Sequence, residues 1–281
     1  MEDKTRVLLR EFSKIRTLPH NIVYLSQLIN DPNTTLEEIE EVVRIDPVLT
    51  GKVLTLVNSA YFGLGRRVDS ISRAVAFLGL KKLHAIAMTD AMKNIFYSPL
   101  VSSSMDPERL WTHSAASAIC SKLISERIFA CNGDEAYMCG ILHDIGLIVE
   151  SQTCHQDFLK LYKEWDPEND PGLLGLEDQF LHTNHCILGY YLIREWNLPE
   201  SIALGVRKHH AVDEEIDPGS HAGILQISNY FVNQLGYGIK PGATSGLSES
   251  VSRHVLEFIE EYKTLADDLP DEIESIHQLY A

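Results

Sequence analysis

The sequence predicts an all-α fold. Three observations carry that prediction: apolar residues recur at three- and four-residue spacing, strand-like alternation is scarce, and Ser, Thr or Asp repeatedly stands just ahead of an apolar run. With 281 residues, of which 44% are hydrophobic, the chain can bury a sizeable core as one large unit or two smaller ones.

A first helix ends at Leu18-Pro19, and a second covers His20 to Asn30 before Asp31-Pro32-Asn33. Thr35-Leu-Glu-Glu38 has the form of a capping box and opens a helix to Arg44, with Leu36, Ile39, Val42 and Val43 inward. Asp46-Pro47 supplies an N-cap and a proline at the first helical position for a helix over Val48 to Val57. Asn58 to Gly63 ends it, Ser70 caps a short helix that stops at Gly79, and Leu80 to Phe96 forms a long one. The polar stretch Ser98 to Ser104 is a connection and places the first domain boundary; the expected domains are 1–104, 105–240 and a C-terminal helical extension at 241–281.

Asp106-Pro107 repeats the cap-and-proline device and opens a helix to about Phe129. Asn132-Gly133 turns the chain, and Asp134 caps a helix predicted to run through Gly140-Ile-Leu-His-Asp-Ile-Gly146. Asp166 to Gly172 is a loop, followed by two helical segments between Leu173 and Trp196 and a third from Pro199 to His209-His210. Beyond the acidic loop at Ala211 to Gly219, Ser220 caps a helix to Leu235. Ser248 to Tyr280 reads as two amphipathic helices divided at Pro270.

Composition excludes some function classes. A formal charge of −16 opposes the counterion release that drives nucleic-acid or anionic-lipid binding, and the basic cluster Gly65-Arg66-Arg67 with Lys81-Lys82 is small. No apolar run reaches the roughly 20 residues of a membrane span. The N-terminus lacks the pattern of a secretory signal, so a cytoplasmic location is expected. Five cysteines without CxxC spacing read as reduced core residues.

The chemistry gathers on His143-Asp144, an ionisable pair in an apolar run that must be paired, hydrogen-bonded or metal-bound to be tolerated there. Consecutive helical residues diverge by about 100°, so the two reach one ion only with help from other helices. His113 lies 30 residues before His143, and His185 lies 41 after Asp144, ahead of His209 and His210; each group falls on a separate predicted helix. Imidazoles with a carboxylate and no thiolate favour iron or manganese, with zinc possible. Such a metal would acidify bound water and neutralise phosphate oxygens. Arg207 and Lys208 are candidates to approach a phosphate, and His182 is either a further ligand or an exposed neighbour. A buried hydrogen-bonded His-Asp pair without metal fits the same spacing.

His113, His143-Asp144, His185 and His209-His210 resemble the HD superfamily of metal-dependent phosphohydrolases. More closely, Leu18-Pro19, Asp46-Pro47-Val-Leu-Thr-Gly-Lys-Val-Leu54, Asn58-Ser-Ala-Tyr-Phe-Gly63, Ala74 to Gly79, Trp111-Thr-His113-Ser, Gly189, Trp196-Asn-Leu-Pro199 and His209-His210 resemble the HDOD family of bacterial signalling output domains. The resemblance spans roughly residues 15 to 235. It implies an N-terminal helical subdomain packed on an HD-type bundle, with His113, His143, Asp144, His185, His209 and His210 as metal ligands. The role it implies is signal transduction through a protein partner or a nucleotide second messenger. The alternative is a phosphohydrolase acting on a nucleotide or cyclic dinucleotide, with His143 and Asp144 catalytic and Asp144 both ligand and orienting base. Two departures weigh against hydrolysis: Asn229 stands where HD enzymes carry a late aspartate, and Leu147 where a lysine often follows the His-Asp motif. The GYP motif of cyclic di-GMP phosphodiesterases is absent.

Overall fold

Capping side chains, those of Thr35, Asp46 and Ser70, fix the starts of three of the N-terminal helices. The computed structural model describes residues 2–15, 18–59, 67–97, 101, 105–167 and 172–280, with side chains described between 4 and 274. Its first half holds α1 (Glu2–Ile15), α2 (His20–Asn30), α3 (Leu36–Ile45), α4 (Pro47–Val57), α5 (Ile71–Leu78) and α6 (Leu80–Phe96). The Thr35 hydroxyl accepts from Glu38 N, and the Glu38 carboxylate accepts from Thr35 N at 2.8 Å, which completes the capping box. The Asp46 carboxylate accepts from Val48 N and Leu49 N, each at 3.0 Å, and from Asn21 Nδ2 at 3.0 Å. Asp46→Ala should therefore cost about 1 to 2 kcal/mol in urea unfolding, with Asp46→Asn avoiding most of that loss.

Asn58 behaves as a helix terminus. Its Nδ2 donates to Leu54 O and Val68 O, and its Oδ1 accepts from Val68 N, all at 2.7 Å, so one amide ties the end of α4 to the chain returning ten residues later. Tyr61-Phe62-Gly63, the basic Gly65-Arg66 and most of the 98–104 connection lie outside the described residues. Leu36, which the periodicity placed inward, is 55% exposed, whereas Ile39, Val42 and Val43 are buried as expected.

The second half holds α7 (Pro107–Arg127), α8 (Asp134–Leu142), α9 (Ile145–Thr153), α10 (His155–Glu164), α11 (Leu173–Leu181), α12 (His185–Glu195), α13 (Glu200–Lys208), α14 (His221–Gln234), α15 (Glu249–Glu257) and α16 (Ile259–Tyr280). Helix α7 is central: it pairs antiparallel with α8 and is flanked by α14 and α16, while α12 packs on α9 and α13. Helix α6 joins the halves through α8 and α7. Helix α1 lies against α9 and α12, burying Leu8, Leu9 and Phe12 and setting the Thr5 hydroxyl 2.9 Å from that of Thr183.

Three local expectations are corrected. Asp134 is the first residue of α8 and makes no side-chain cap; Gly133 occupies the N-cap position. Pro270 does not divide the C-terminal helices, because Tyr262, Leu265, Leu269 and Ile273 are all buried at three- and four-residue spacing and hold α16 helical across it. The break falls at Phe258, where His254 stacks on Phe129 with ring centroids 5.0 Å apart and lies tilted against Phe258 at 4.8 Å. The third correction concerns His143 and Asp144, which do not lie within a continuous helix: α8 ends at Leu142 and α9 begins at Ile145. Among the described residues there is no strand, and no helix is long and apolar enough to cross a membrane. All five cysteines are unpaired; Cys120, Cys139 and Cys186 are buried, and Cys131 is exposed.

Candidate metal centre

Two glycines explain why the His-Asp stretch can reach its companions. A Cβ on Gly140 would stand 2.4 Å from Ala118 Cα on α7, and one on Gly146 would stand 2.1 Å from His185 O on α12. Only a hydrogen at these positions lets α8 press on α7 and α9 press on α12. The interruption between α8 and α9 then turns His143 and Asp144 to the same side, with Asp144 at φ −100° and ψ 12°. The 100° divergence expected of consecutive helical residues is thereby removed.

His113 comes from α7, His185 from the start of α12, and His209 and His210 from the end of α13. Asp144 stands between two imidazole pairs. Its Oδ2 is 3.4 Å from His113 Nε2 and 3.2 Å from His143 Nε2; its Oδ1 is 3.7 Å from both His185 Nε2 and His209 Nε2. Within the pairs, the Nε2 atoms are 3.2 Å apart for His113 and His143 and 3.4 Å apart for His185 and His209.

The other ring nitrogens define the protonation. His113 Nδ1 faces Tyr237 O at 3.0 Å, His143 Nδ1 faces Gly140 O at 2.7 Å, His209 Nδ1 faces Val206 O at 2.7 Å, and His185 Nδ1 faces the Glu177 carboxylate at 2.7 Å. Each of those partners can only accept, so each Nδ1 carries a hydrogen, and each ring, when neutral, presents a lone pair at Nε2. Four Nε2 atoms and a carboxylate, all but inaccessible to solvent, face one another at these distances, and the repulsion between them is relieved either by protons on the rings, which then donate to Asp144, or by a cation among them.

The donors form two sets that share Asp144. One is His113, His143 and Asp144; the other is Asp144, His185, His209 and His210, with the donor atoms of each set within 4.8 Å of one another. Nitrogen and oxygen donors at this spacing fit a divalent metal. The buried and otherwise unpartnered Oδ1 of Asn229 adds a neutral oxygen on the cavity that opens over the centre.

Protons and metal would compete for this cluster. Burial works to raise Asp144, but the adjacent His143 and hydrogen bonds from His113, His143 and His209 hold it well below the usual carboxylate range. Burial pushes His210 and His143 down, and for His143 it outweighs the attraction of Asp144. His185 is raised despite its burial, because Cys186 and Glu177 stabilise its charge. Burial opposes ionisation of the Cys186 thiol, yet His185 and His209 beside it bring it down to about 6.

The cavity measures about 460 Å³ and is walled by Trp165, Leu173, Ile239, Asn229, Asn233 and Ser245. Its roof is the segment following α14, which is fastened from below. Arg109 donates to Gly238 O at 2.7 Å and to Gly236 O at 3.2 Å, Tyr162 donates to Ile239 O at 3.0 Å, and Lys240 Nζ donates back to Tyr162 O at 3.1 Å.

The structure thus brings His113, His143, Asp144, His185, His209 and His210 to one place. Arg207 and Lys208 go elsewhere: Val206 and His209 face inward on α13, so the two residues between them turn out, Arg207 exposed and Lys208 paired with Glu214 at 2.7 Å. Neither lines the cavity. His182 is exposed and has a φ of 57° at the end of α11, outside the cluster. Sequence reasoning missed Glu177 and the Tyr237 carbonyl because both act across the fold on a ligand's far nitrogen, and no spacing announces such partners.

The description "HDOD domain" belongs to the family model that matches residues 15–212. An uncharacterized protein of Treponema pallidum (strain Nichols) is 30% identical over 206 residues, covering 70% of this chain and 37% of the relative, so the chain spans little more than a third of that relative's length. Among solved structures, an HDOD domain protein of unknown function from Geobacter sulfurreducens has TM-score 0.68 at 23% identity, covering 95% of this chain and 98% of its own. A candidate phosphohydrolase from Shewanella amazonensis SB2B has TM-score 0.68 at 21% identity, covering 97% and 93%. A candidate signal transduction protein from Marinobacter aquaeolei VT8 has TM-score 0.72 at 20% identity, covering 94% of this chain and 59% of its own. These structures share the fold.

Proposed function

Because the chain belongs to the HDOD family, we propose that it is a cytoplasmic bacterial signal-transduction module whose metal centre binds a phosphorylated ligand, either a nucleotide second messenger or a phosphoryl group on a protein partner. The observation that carries this reading is the convergence of four imidazole Nε2 atoms on the two oxygens of Asp144, each ring locked by its Nδ1. His113, His143 and Asp144 would hold one ion; Asp144, His185, His209 and His210 would hold a second. Iron or manganese suits this donor set best, and zinc is the next candidate. When bound, the metal supplies positive charge for phosphate oxygens and a Lewis-acidic site for water.

The chain's own residues do the rest. Among the described residues no Lys or Arg lines the cavity, so the metal centre would carry the recognition of the anion. Asn229 and Asn233 offer uncharged amide oxygens, both buried without partners, that suit N–H or O–H donors on the ligand, and Trp165 and Leu173 give it an apolar wall.

Hydrolysis is the second reading, favoured by one specific observation: two donor sets adjoin through a shared carboxylate, the arrangement that can clamp both oxygens of a displacement at phosphorus. Two features stand against it. Asn229 is a weaker donor than a carboxylate for a hard cation, and Leu147 is packed at 0% exposure in α9, leaving no cation at that position.

Anaerobic purification followed by metal analysis, calorimetry with a nucleotide and cyclic-dinucleotide panel, and phosphate-release assays separate the readings. The expected result is metal at about stoichiometric level and saturable nucleotide binding without turnover. Turnover would transfer support to hydrolysis. Protein free of metal after reconstitution with iron, manganese and zinc would refute both.

A further inference from the structure

Behind His185, on the side away from the cavity, lie two carboxyl groups with no access to solvent. Glu177 on α11 and Glu150 on α9 are both 0% exposed. Glu177 is fully engaged with His185: it accepts from the backbone N at 3.2 Å and from Nδ1 at 2.9 and 2.7 Å. Glu150 lies against Glu177, yet no N–H or O–H among the described residues reaches either of its oxygens.

Two carboxylates side by side in a dry interior, with no donor between them, repel each other and are both desolvated. One shared proton removes the conflict and supplies the only hydrogen bond available to Glu150 among the described residues. It resides on Glu150, because both oxygens of Glu177 already accept N–H donors from His185 and neither oxygen of Glu150 accepts any. Burial and the neighbouring Glu177 charge likewise push the Glu150 carboxyl well above the usual range. The other titratable groups that face it are His185 from α12 and Cys154 at the end of α9, and Lys4 on α1 faces Cys154 in turn.

We propose that Glu150 is a positioning residue of the metal centre, its carboxylic O–H donating to Glu177 so that Glu177 holds His185 with Nε2 turned toward the ion. The chain Glu150, Glu177, His185 extends the usual carboxylate support of a metal-bound imidazole by one buried acid. The neutral acid fixes Glu177 without cancelling its charge, so Glu177 remains a strong acceptor for the His185 Nδ1–H. This inference rests on the metal-binding reading above for its effect on the ion, though not for the proton on Glu150.

Three full-length proteins test it: the natural sequence, Glu150→Gln, which keeps a neutral donor of nearly the same shape, and Glu150→Leu, which keeps the bulk and removes the donor. The infrared carbonyl stretch of a neutral carboxylic acid should be present near neutral pH in the natural protein and lost in Glu150→Gln, with or without metal. Manganese affinity, measured by competition with a chromophoric chelator, should be nearly unchanged in Glu150→Gln and weakened about tenfold in Glu150→Leu. The metal-free melting temperature of Glu150→Leu should be equal or higher, since an apolar side chain replaces a buried polar one. Absence of the neutral-acid band, equal weakening in both variants, or natural affinity in Glu150→Leu would each overturn the proposal. If Glu150→Leu does not fold, the band and Glu150→Gln decide. Absence of metal binding in the natural protein would overturn the metal-binding reading and the positioning role, while the band would still report whether Glu150 carries the proton.

Discussion

Asp144→Ala is expected to abolish both halves of the metal centre, lowering metal affinity by at least about a hundredfold. The size of the effect follows from its place: Oδ2 serves the His113 and His143 pair, and Oδ1 serves the His185 and His209 pair. Among the described residues, no other carboxylate belongs to either donor set. Removing one imidazole takes a donor from one set, whereas removing Asp144 takes one from each and leaves neutral rings around a cation. Thermal melts with and without added metal check this. The natural protein should gain stability on loading, about 2.7 kcal/mol at a hundredfold excess of metal over its dissociation constant, and Asp144→Ala should gain almost none. Asp144→Asn should behave like alanine, because the loss is of charge. A metal-induced shift in Asp144→Ala equal to that of the natural protein would remove Asp144 from the ligand set.

Gly146→Ala is expected to be the most damaging change of a residue that contacts no ion. The new methyl would fall 2.1 Å from His185 O and 2.6 Å from His185 C, and backbone cannot rotate away as a side chain can. Helices α9 and α12 must separate, at a cost of about 3 kcal/mol, and His185 leaves its place as they do. Urea unfolding and metal affinity should fall together. Gly51→Ala is the matched control: nothing lies within 4 Å of its Cβ position in α4, so alanine should raise stability by about 0.5 to 1 kcal/mol and leave metal binding untouched. If Gly146→Ala folds and binds metal normally, the close approach of α9 and α12 is not what sets the site.

The helix starts were legible because their signals are local. Thr35, Asp46, Ser70, Asp106 and Ser220 each accept from a backbone N–H two or three residues on, which depends on no distant contact. Pro270 misled for the opposite reason. A proline argues for a break by local rules, and four buried side chains on one face of α16 override it. The histidines could be read as candidates because imidazoles on separate apolar helices are unusual company. Arg207 and Lys208 could not be placed, since adjacency to His209 along the chain says nothing about the face on which each projects.

The sequence by itself determined that the chain is helical, where most helices begin, and that His113, His143, Asp144, His185, His209 and His210 are the residues to watch, because periodicity, caps and residue chemistry are properties of short stretches. Tertiary structure alone decided that the helix breaks between Leu142 and Ile145, that Gly140 and Gly146 draw α7 and α12 into reach, and that Glu177 with Glu150 stands behind His185. Those outcomes are set by how closely helices far apart in sequence can pack, and by which buried polar groups must then satisfy one another. For that reason the His-Asp pair was visible as an oddity in the sequence, and only the packed chain explains how its two residues can serve one centre.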